Sequence, residues 1–249
     1  IAAITWNYLT WYFGMPSSSS HAVIGGLVGA GLAAGGLSAI NWGVVQTALI
    51  AIVVSPMVAF TVAFLAMLGL SRLQRRLRVP DDTKAFKGLQ LLSAAAVSFG
   101  HGANDAQKTM GIIAAVLLAG GYISLQPDGN LHIGWWIPFL AYSAIAIGTV
   151  WGGWKIIETM GLRITSLRAS SGLAANIGAV TAIFGATGMG IPISTTHAAA
   201  TSITGAGVAS GRATIRFRLA QGHRLGIRTA TVEAAQSALG LRQYAVQAF

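Results

Sequence analysis

The 249-residue chain carries MPSSSSHAVIGGLVGAGLA at positions 15–33 and IPISTTHAAATSITGAGVA at positions 191–209, two stretches that align without a gap at an offset of 176. Pro16 meets Pro192, Ser18 meets Ser194, His21 meets His197 and Ala22 meets Ala198. Gly29, Ala30, Gly31 and Ala33 meet Gly205, Ala206, Gly207 and Ala209. Ser19 and Ser20 meet Thr195 and Thr196, so hydroxyls persist where the residue type changes. Eight identities in nineteen positions mark an internal repeat, although glycine and alanine raise the count in any apolar chain.

The surroundings of the two copies are those of a membrane protein. Hydrophobic residues make up 54% of the chain and charged residues 9%, against about 25% charged in an ordinary soluble domain. The six acidic residues are Asp81, Asp82, Asp105, Asp128, Glu158 and Glu233, and Asp105 alone lies deep inside an apolar stretch. The net charge of +10 comes from Lys and Arg clustered between apolar spans and in the tail, without the aromatic interleaving that binds nucleic-acid strands. This is the pattern of cytoplasmic loops under the positive-inside rule, and no nucleic-acid partner is expected. With no cysteine, disulfides and thiolate metal sites are excluded. The chain opens at Ile1 inside an apolar, aromatic run without a charged n-region, and reads as the interior of a longer protein.

Charge and length then set the spans. Residues 44–70 are uncharged and longer than the roughly 20 residues that cross a bilayer, which predicts a spanning helix with a candidate kink at Pro56. The following SRLQRRLRVPDDTKAFKG, residues 71–88, predicts a basic cytoplasmic loop. Residues 89–123 read as one crossing interrupted at its centre by FGHGANDAQKTMG, and the next loop, SLQPDGNLHIG, has no Lys or Arg and faces outward. Residues 135–154 read as a helix with tryptophans at both ends, returning the chain to a basic loop with Lys155, Arg163 and Arg168. Residues 171–210 carry no charge and are followed by Arg212, Arg216 and Arg218, so this segment enters the membrane and returns to the same side, as two thin spans or as a re-entrant hairpin.

Three crossings between the two motif copies invert the second relative to the first. The predicted fold is all-α: a polytopic membrane protein with the inverted repeat of a secondary transporter and two re-entrant helical hairpins. Its expected divisions are 1–70, the end of the first repeat; 71–88, the basic loop; 89–210, the second repeat; and 211–249, a basic tail that does not span.

The serine-rich copies have a physical use in such a fold. A proline followed by Ser or Thr at a helix start leaves backbone N–H groups and hydroxyls converging on one spot, with the positive end of the helix dipole behind them. That spot attracts an anion. The plainer alternative is that these hydroxyls only cap and link helices, and the pairing of Pro and His in register argues against it. His21 and His197 are candidates to orient a hydroxyl, relay a proton or pack at the hairpin neck. An ionisable residue inside an apolar span points to function. Asp105 and Asn104 offer hard oxygen ligands for a sodium ion, a proton or a magnesium ion travelling with its anion. Lys108, three residues from Asp105, is placed either to neutralise it or to face the anion.

At PSSSSH, PISTTH and FGHGANDAQKTMGII the sequence resembles the inorganic phosphate transporter (PiT) family in its bacterial low-affinity branch, over residues 5–210. The resemblance implies an inverted-repeat carrier in the inner (plasma) membrane that takes up inorganic phosphate with Na+ or H+, or as a metal-phosphate complex with Mg2+. Carried onto this chain, the phosphate contacts fall on Ser18, Ser19, Ser20, Ser194, Thr195 and Thr196, with Asn104 and Lys108 beside them, and cation coupling falls on Asp105 and Asn104. No resident cofactor is expected. The family carries a GAND-type element in each half, and the one preceding Pro16 has no counterpart here. Beyond Gly211 the chain holds Arg224, Arg228, Glu233 and Arg242 where the family continues into apolar helix, which suggests a frameshifted or truncated end, or a basic tail on anionic lipid.

Two other functions compete. A passive anion channel needs the same donors, and a truncated, non-functional carrier fragment would show the same motifs. An enzyme is not expected: Ser20, His21 and Asp105 supply triad residue types, but no G-x-S-x-G turn is present and the second copy replaces the would-be nucleophile. The spacings Gly25 to Gly29 and Gly31 to Gly35 suit close helix packing within the chain or in a homo-oligomer.

Overall fold

A computed structural model describes residues 1–81, 83–126, 133–153, 156 and 167–211. Every regular element among them is helical: α1 (Ala2–Tyr12), α2 (Ser19–Gly35) with a 3-10 turn (Gly36–Ala39), α3 (Trp42–Leu77), α4 (Lys84–Ala119), α5 (Trp136–Gly152), α6 (Ala169–Gly188) and α7 (Thr195–Ala209). Ser19–Ala39, Trp42–Leu77 and Ala169–Gly188 are each long and apolar enough to cross a membrane. Large apolar side chains such as Leu49, Ile50, Val53, Phe139 and Ile147 stand exposed, as they do on surfaces solvated by hydrocarbon.

The repeat is a feature of the backbone as well as of the sequence. α1 packs on α2 and α6 on α7, forming two helical hairpins. Each reverses at a glycine with positive φ, Gly14 at 65° and Gly190 at 66°, which sit 176 residues apart like the motif itself. Only glycine adopts that conformation without a Cβ penalty. Each second arm then starts at a serine in extended conformation, Ser18 at φ −86°, ψ 112° and Ser194 at φ −89°, ψ 102°.

α3 lies in the notch of the second hairpin. Its buried positions Ala48, Ala51, Ser55, Ala59, Ala63 and Met67 recur every three or four residues, a small-residue stripe that lets backbones approach closely. One cluster joins Ala51 and Ala59 to Ala182, Ile183, Ala186, Ile193 and Ala198; a second joins Ala63 and Met67 to Ala174, Ala175 and Ala206. Two glycines permit the contact: a Cβ on Gly178 would fall 2.7 Å from that of Ala63, and one on Gly205 would fall on the Phe60 carbonyl oxygen. α5 packs on α4 through Ile137, Ala141, Ala106 and Met110.

The structure corrects two expectations. The crossing over 89–123 is not interrupted, because α4 runs unbroken through the GAND segment as a 36-residue helix. Glycine costs a helix only about 1 kcal/mol, and His101, Asn104, Asp105 and Lys108 bond to one another at helical spacing. At Gly100 there is a positive reason for glycine, since a Cβ would meet Phe184 at 2.8 Å and Ile183 at 3.2 Å across the α4–α6 contact. The basic segment 71–88 is likewise mostly helix: α3 continues to Leu77 and α4 begins at Lys84, so the turn is confined to 78–83. Arg78 ends α3 in the left-handed conformation (φ 52°) and Pro80 follows, a pairing that stops a helix.

That turn is tied down. Asp81 accepts from the Ser170 amide at 3.1 Å and from Gln74 at 3.3 Å, linking the end of α3 to the start of α6. Burial works to raise the Asp81 pKa, but hydrogen bonds from Ser170 and Gln74, with Arg168 nearby, outweigh it and hold the carboxyl below its ordinary value. The predicted helix end at Trp154, the basic residues Lys155 and Arg163, and the whole tail from Arg212 lie outside the described residues.

Candidate functional site

The first turns of α2 and α7 have matching architecture. Ser18 Oγ accepts from the His21 amide at 3.2 Å, and Ser194 Oγ accepts from the His197 amide at 3.1 Å. These are N-caps of the usual kind, so the capping alternative holds for both serines. Capping uses a lone pair of the hydroxyl and leaves its proton available to donate. The helix geometry gives the amides of Ser19, Ser20, Thr195 and Thr196 no acceptor within their own helix.

The two caps come together in space. The rings of His21 and His197, equivalent positions of the repeat, lie 5.0 Å apart in an edge-to-face arrangement. This contact brings together the first turns of the second arms of both hairpins. Both helix N-termini, with their positive dipole ends, therefore meet at one place.

α4 delivers its polar residues to that place. Lys108 Nζ donates to Ser20 Oγ of the first hairpin and to the Ile193 carbonyl of the second, the latter at 3.1 Å. Within α4 it also donates to Asn104 Oδ1 and, at 3.0 Å, to Asp105 Oδ1. Four acceptors compete for three ammonium protons, so the set cannot all be bonded at full strength at once. Asp105 Oδ2 lies 3.0 Å from His101 Nε2, which places a partner on each carboxylate oxygen. The side chains of Asp105 and Lys108 are both 18% exposed, and Ser20 is 2% exposed. Asn104, 5% exposed, also donates from Nδ2 to Thr187 Oγ1 on α6 at 3.1 Å.

Of the residues expected from sequence, the structure gathers Ser20, Asn104, Asp105 and Lys108 into one hydrogen-bonded cluster beside the His21–His197 pair. Ser18 and Ser194 stand at its edge as caps. Ser19 and Thr196 are half-buried and Thr195 is buried on the same first turns, and among the described residues no Lys108 hydrogen bond reaches them. Three participants escaped the sequence reading: His101, Thr187 and the Ile193 carbonyl. The spacing of His101 from Asp105, four residues, was legible as a helical pair; the other two depend on tertiary packing. Among the described residues no group of three or more His, Cys, Asp or Glu could hold a metal ion, and the polar groups gathered here are one lysine, one carboxylate, three histidines, amides and hydroxyls.

These features define a multi-pass, all-helical membrane protein whose two repeated hairpins share a polar centre with the long helix α4. A model of the family described as "Phosphate transporter family" matches residues 1–83 and 74–226. The chain belongs to that family, which is one of transporters and not of enzymes, and it is a protein of the plasma membrane. A probable low-affinity inorganic phosphate transporter of Rhizobium meliloti (strain 1021) is 47% identical over 221 residues, covering 88% of this chain and 65% of the relative. A probable low-affinity inorganic phosphate transporter of Bacillus subtilis (strain 168) is 40% identical over 207 residues, covering 83% of this chain and 61% of the relative. The chain thus spans just under two thirds of the length of these relatives. A solved structure described as "The sodium-dependent phosphate transporter" has a TM-score of 0.64 at 23% identity, over 98% of this chain and 72% of that one, and shares the fold. The resemblance read from PSSSSH, PISTTH and the GAND segment is borne out.

Proposed function

We propose that this chain is the transport core of a phosphate symporter, carrying inorganic phosphate across the membrane together with a coupling cation, Na+ or H+, or as a complex with Mg2+. The observation that carries the reading is Lys108, whose ammonium hydrogen-bonds both hairpins and the Asn104–Asp105 pair at the point where two helix N-termini meet. The names of the relatives supply the identity of the oxyanion; the donors alone call for an oxyanion of some kind.

A phosphate at this centre would be an acceptor for everything that faces it. Its oxygens compete with Ser20 and the Ile193 carbonyl for Lys108, and they receive the hydroxyls and free amides of Ser18, Ser19, Ser20, Ser194, Thr195 and Thr196. Charge then explains the coupling. Asp105 and Lys108 cancel one another, so phosphate arrives as one or two uncompensated negative charges in a low-dielectric site, which is costly. A cation held by Asp105 and Asn104 restores the balance, and the same oxygens take Na+ or a proton. His21 and His197 meet between the hairpins, where a proton could pass from one half to the other.

The test is phosphate uptake into proteoliposomes under an imposed Na+ or H+ gradient, for wild type, Asp105→Asn and the double variant Ser194→Ala/Thr195→Ala. Uptake that follows one gradient and falls at least tenfold in both variants supports the reading. Uptake indifferent to both gradients would mean a passive anion path instead, and uptake unchanged in the variants would remove these residues from the site.

A further inference from the structure

The amide of Asn104 has two ends of nearly equal shape, a donor NH2 and an acceptor oxygen, so packing alone does not choose between its two orientations. Thr187 chooses. Its hydroxyl donates to the Ile183 carbonyl, four residues back in α6, at 2.8 Å. A hydroxyl has one proton, and with that proton committed the Thr187 oxygen can only accept. The end of the Asn104 amide that meets Thr187 at 3.1 Å must therefore be the NH2. The oxygen is turned the other way, to Lys108 and the hairpin tips. A reversed amide would set its NH2 against the Lys108 ammonium, donor against donor, and would require the Thr187 proton to leave Ile183.

We propose that Thr187 is a positioning residue of the transport site: by accepting from the Asn104 amide it fixes the Asn104 carbonyl oxygen toward the polar centre as an acceptor for Lys108 and a hard ligand for the coupling cation. The ligand role rests on the transport reading above; the orientation does not. Thr187 stands in the last turn of α6, so the orientation of Asn104 depends on where the second hairpin sits against α4. Thr187 is equivalent in the repeat to Trp11, which donates instead to the Gly152 carbonyl at 2.8 Å.

The test uses the 249-residue chain in lipid nanodiscs with 15N-labelled asparagine, comparing wild type, Thr187→Val and Thr187→Ser. Valine keeps the shape and removes the acceptor; serine keeps the acceptor. The Asn104 side-chain amide, assigned by its loss in Asn104→Asp, should exchange with D2O about tenfold faster in Thr187→Val and close to the wild-type rate in Thr187→Ser, with backbone exchange in α4 unchanged. The Na+ concentration that half-saturates binding of radiolabelled phosphate should rise about tenfold in Thr187→Val and recover in Thr187→Ser. Exchange that is the same in all three chains would overturn the orientation. Faster exchange with unchanged cation dependence would leave the bond a purely structural one and overturn the positioning role. A wild-type chain that binds no phosphate in any cation would count against the transport reading, and the exchange rates would still decide the orientation.

Discussion

Lys108 is the residue on which the site's electrostatics turn. Its ammonium and the Asp105 carboxylate lie 3.0 Å apart and largely out of solvent. Removing one member of such a pair leaves the other's charge unpaired, which costs more than the pair itself contributes. Lys108→Met should lower stability by about 2–4 kcal/mol. The double variant Lys108→Met/Asp105→Asn should recover much of that loss, a coupling that thermal unfolding in detergent can measure as a double-mutant cycle. Losses that simply add would show that the two charges do not depend on each other. Phosphate binding should be lost in both chains, because the double variant restores neutrality but not the donor. Lys108→Arg is expected to fail as a substitute: a planar fork cannot reach Ser20, Asn104, Asp105 and the Ile193 carbonyl from one point as a compact ammonium does.

The helices show how equivalent positions of a repeat acquire different costs. Gly205 and Gly29 are equivalent, yet a Cβ on Gly205 would strike the Phe60 backbone while one on Gly29 meets nothing within 4 Å. Gly205→Leu should therefore separate α7 from α3 and destabilise by about 1–3 kcal/mol or more, whereas Gly29→Leu should be tolerated. Unfolding temperatures of the two variants check this directly, and equal effects would contradict the packing described. The tie between α3 and α6 has a pH signature. The Asp81 pKa is lowered on folding from its ordinary value of 3.8, so its contribution to stability is present above that pH and is lost as pH falls through the lowered value. Asp81→Asn should flatten the stability profile in that acid range and leave it unchanged in shape near neutrality. At this scale the sequence was readable where apolar length decides: α3 and α5 lie where uncharged runs predict them. It misled at α4, because hydropathy registers polar side chains and says nothing of whether they break a helix or, as His101, Asp105 and Lys108 do, satisfy one another along its face.

For the molecule as a whole, the nineteen-residue repeat proved the most informative signal, since it reaches beyond residue identity into the glycine turns and serine caps. What it could not show is that the two copies touch. The His21–His197 contact and the bridge from Lys108 to both hairpins join residues 85 or more positions apart, and only the tertiary arrangement of the two hairpin tips around Lys108 creates them. Thr187 was illegible for the same reason: one threonine near the end of an apolar helix becomes meaningful only through the side chain opposite it. The central claim is that both hairpin tips and the α4 cluster form a single centre for an anion and its cation. Its most direct test is equilibrium binding of radiolabelled phosphate to the purified chain, titrated with Na+ and with protons, in wild type, Lys108→Met and Ser20→Ala/Thr196→Ala. Saturable binding is expected that requires one of the two cations and weakens at least tenfold in both variants. Phosphate binding that needs no cation, or that survives intact in Lys108→Met, would contradict that claim.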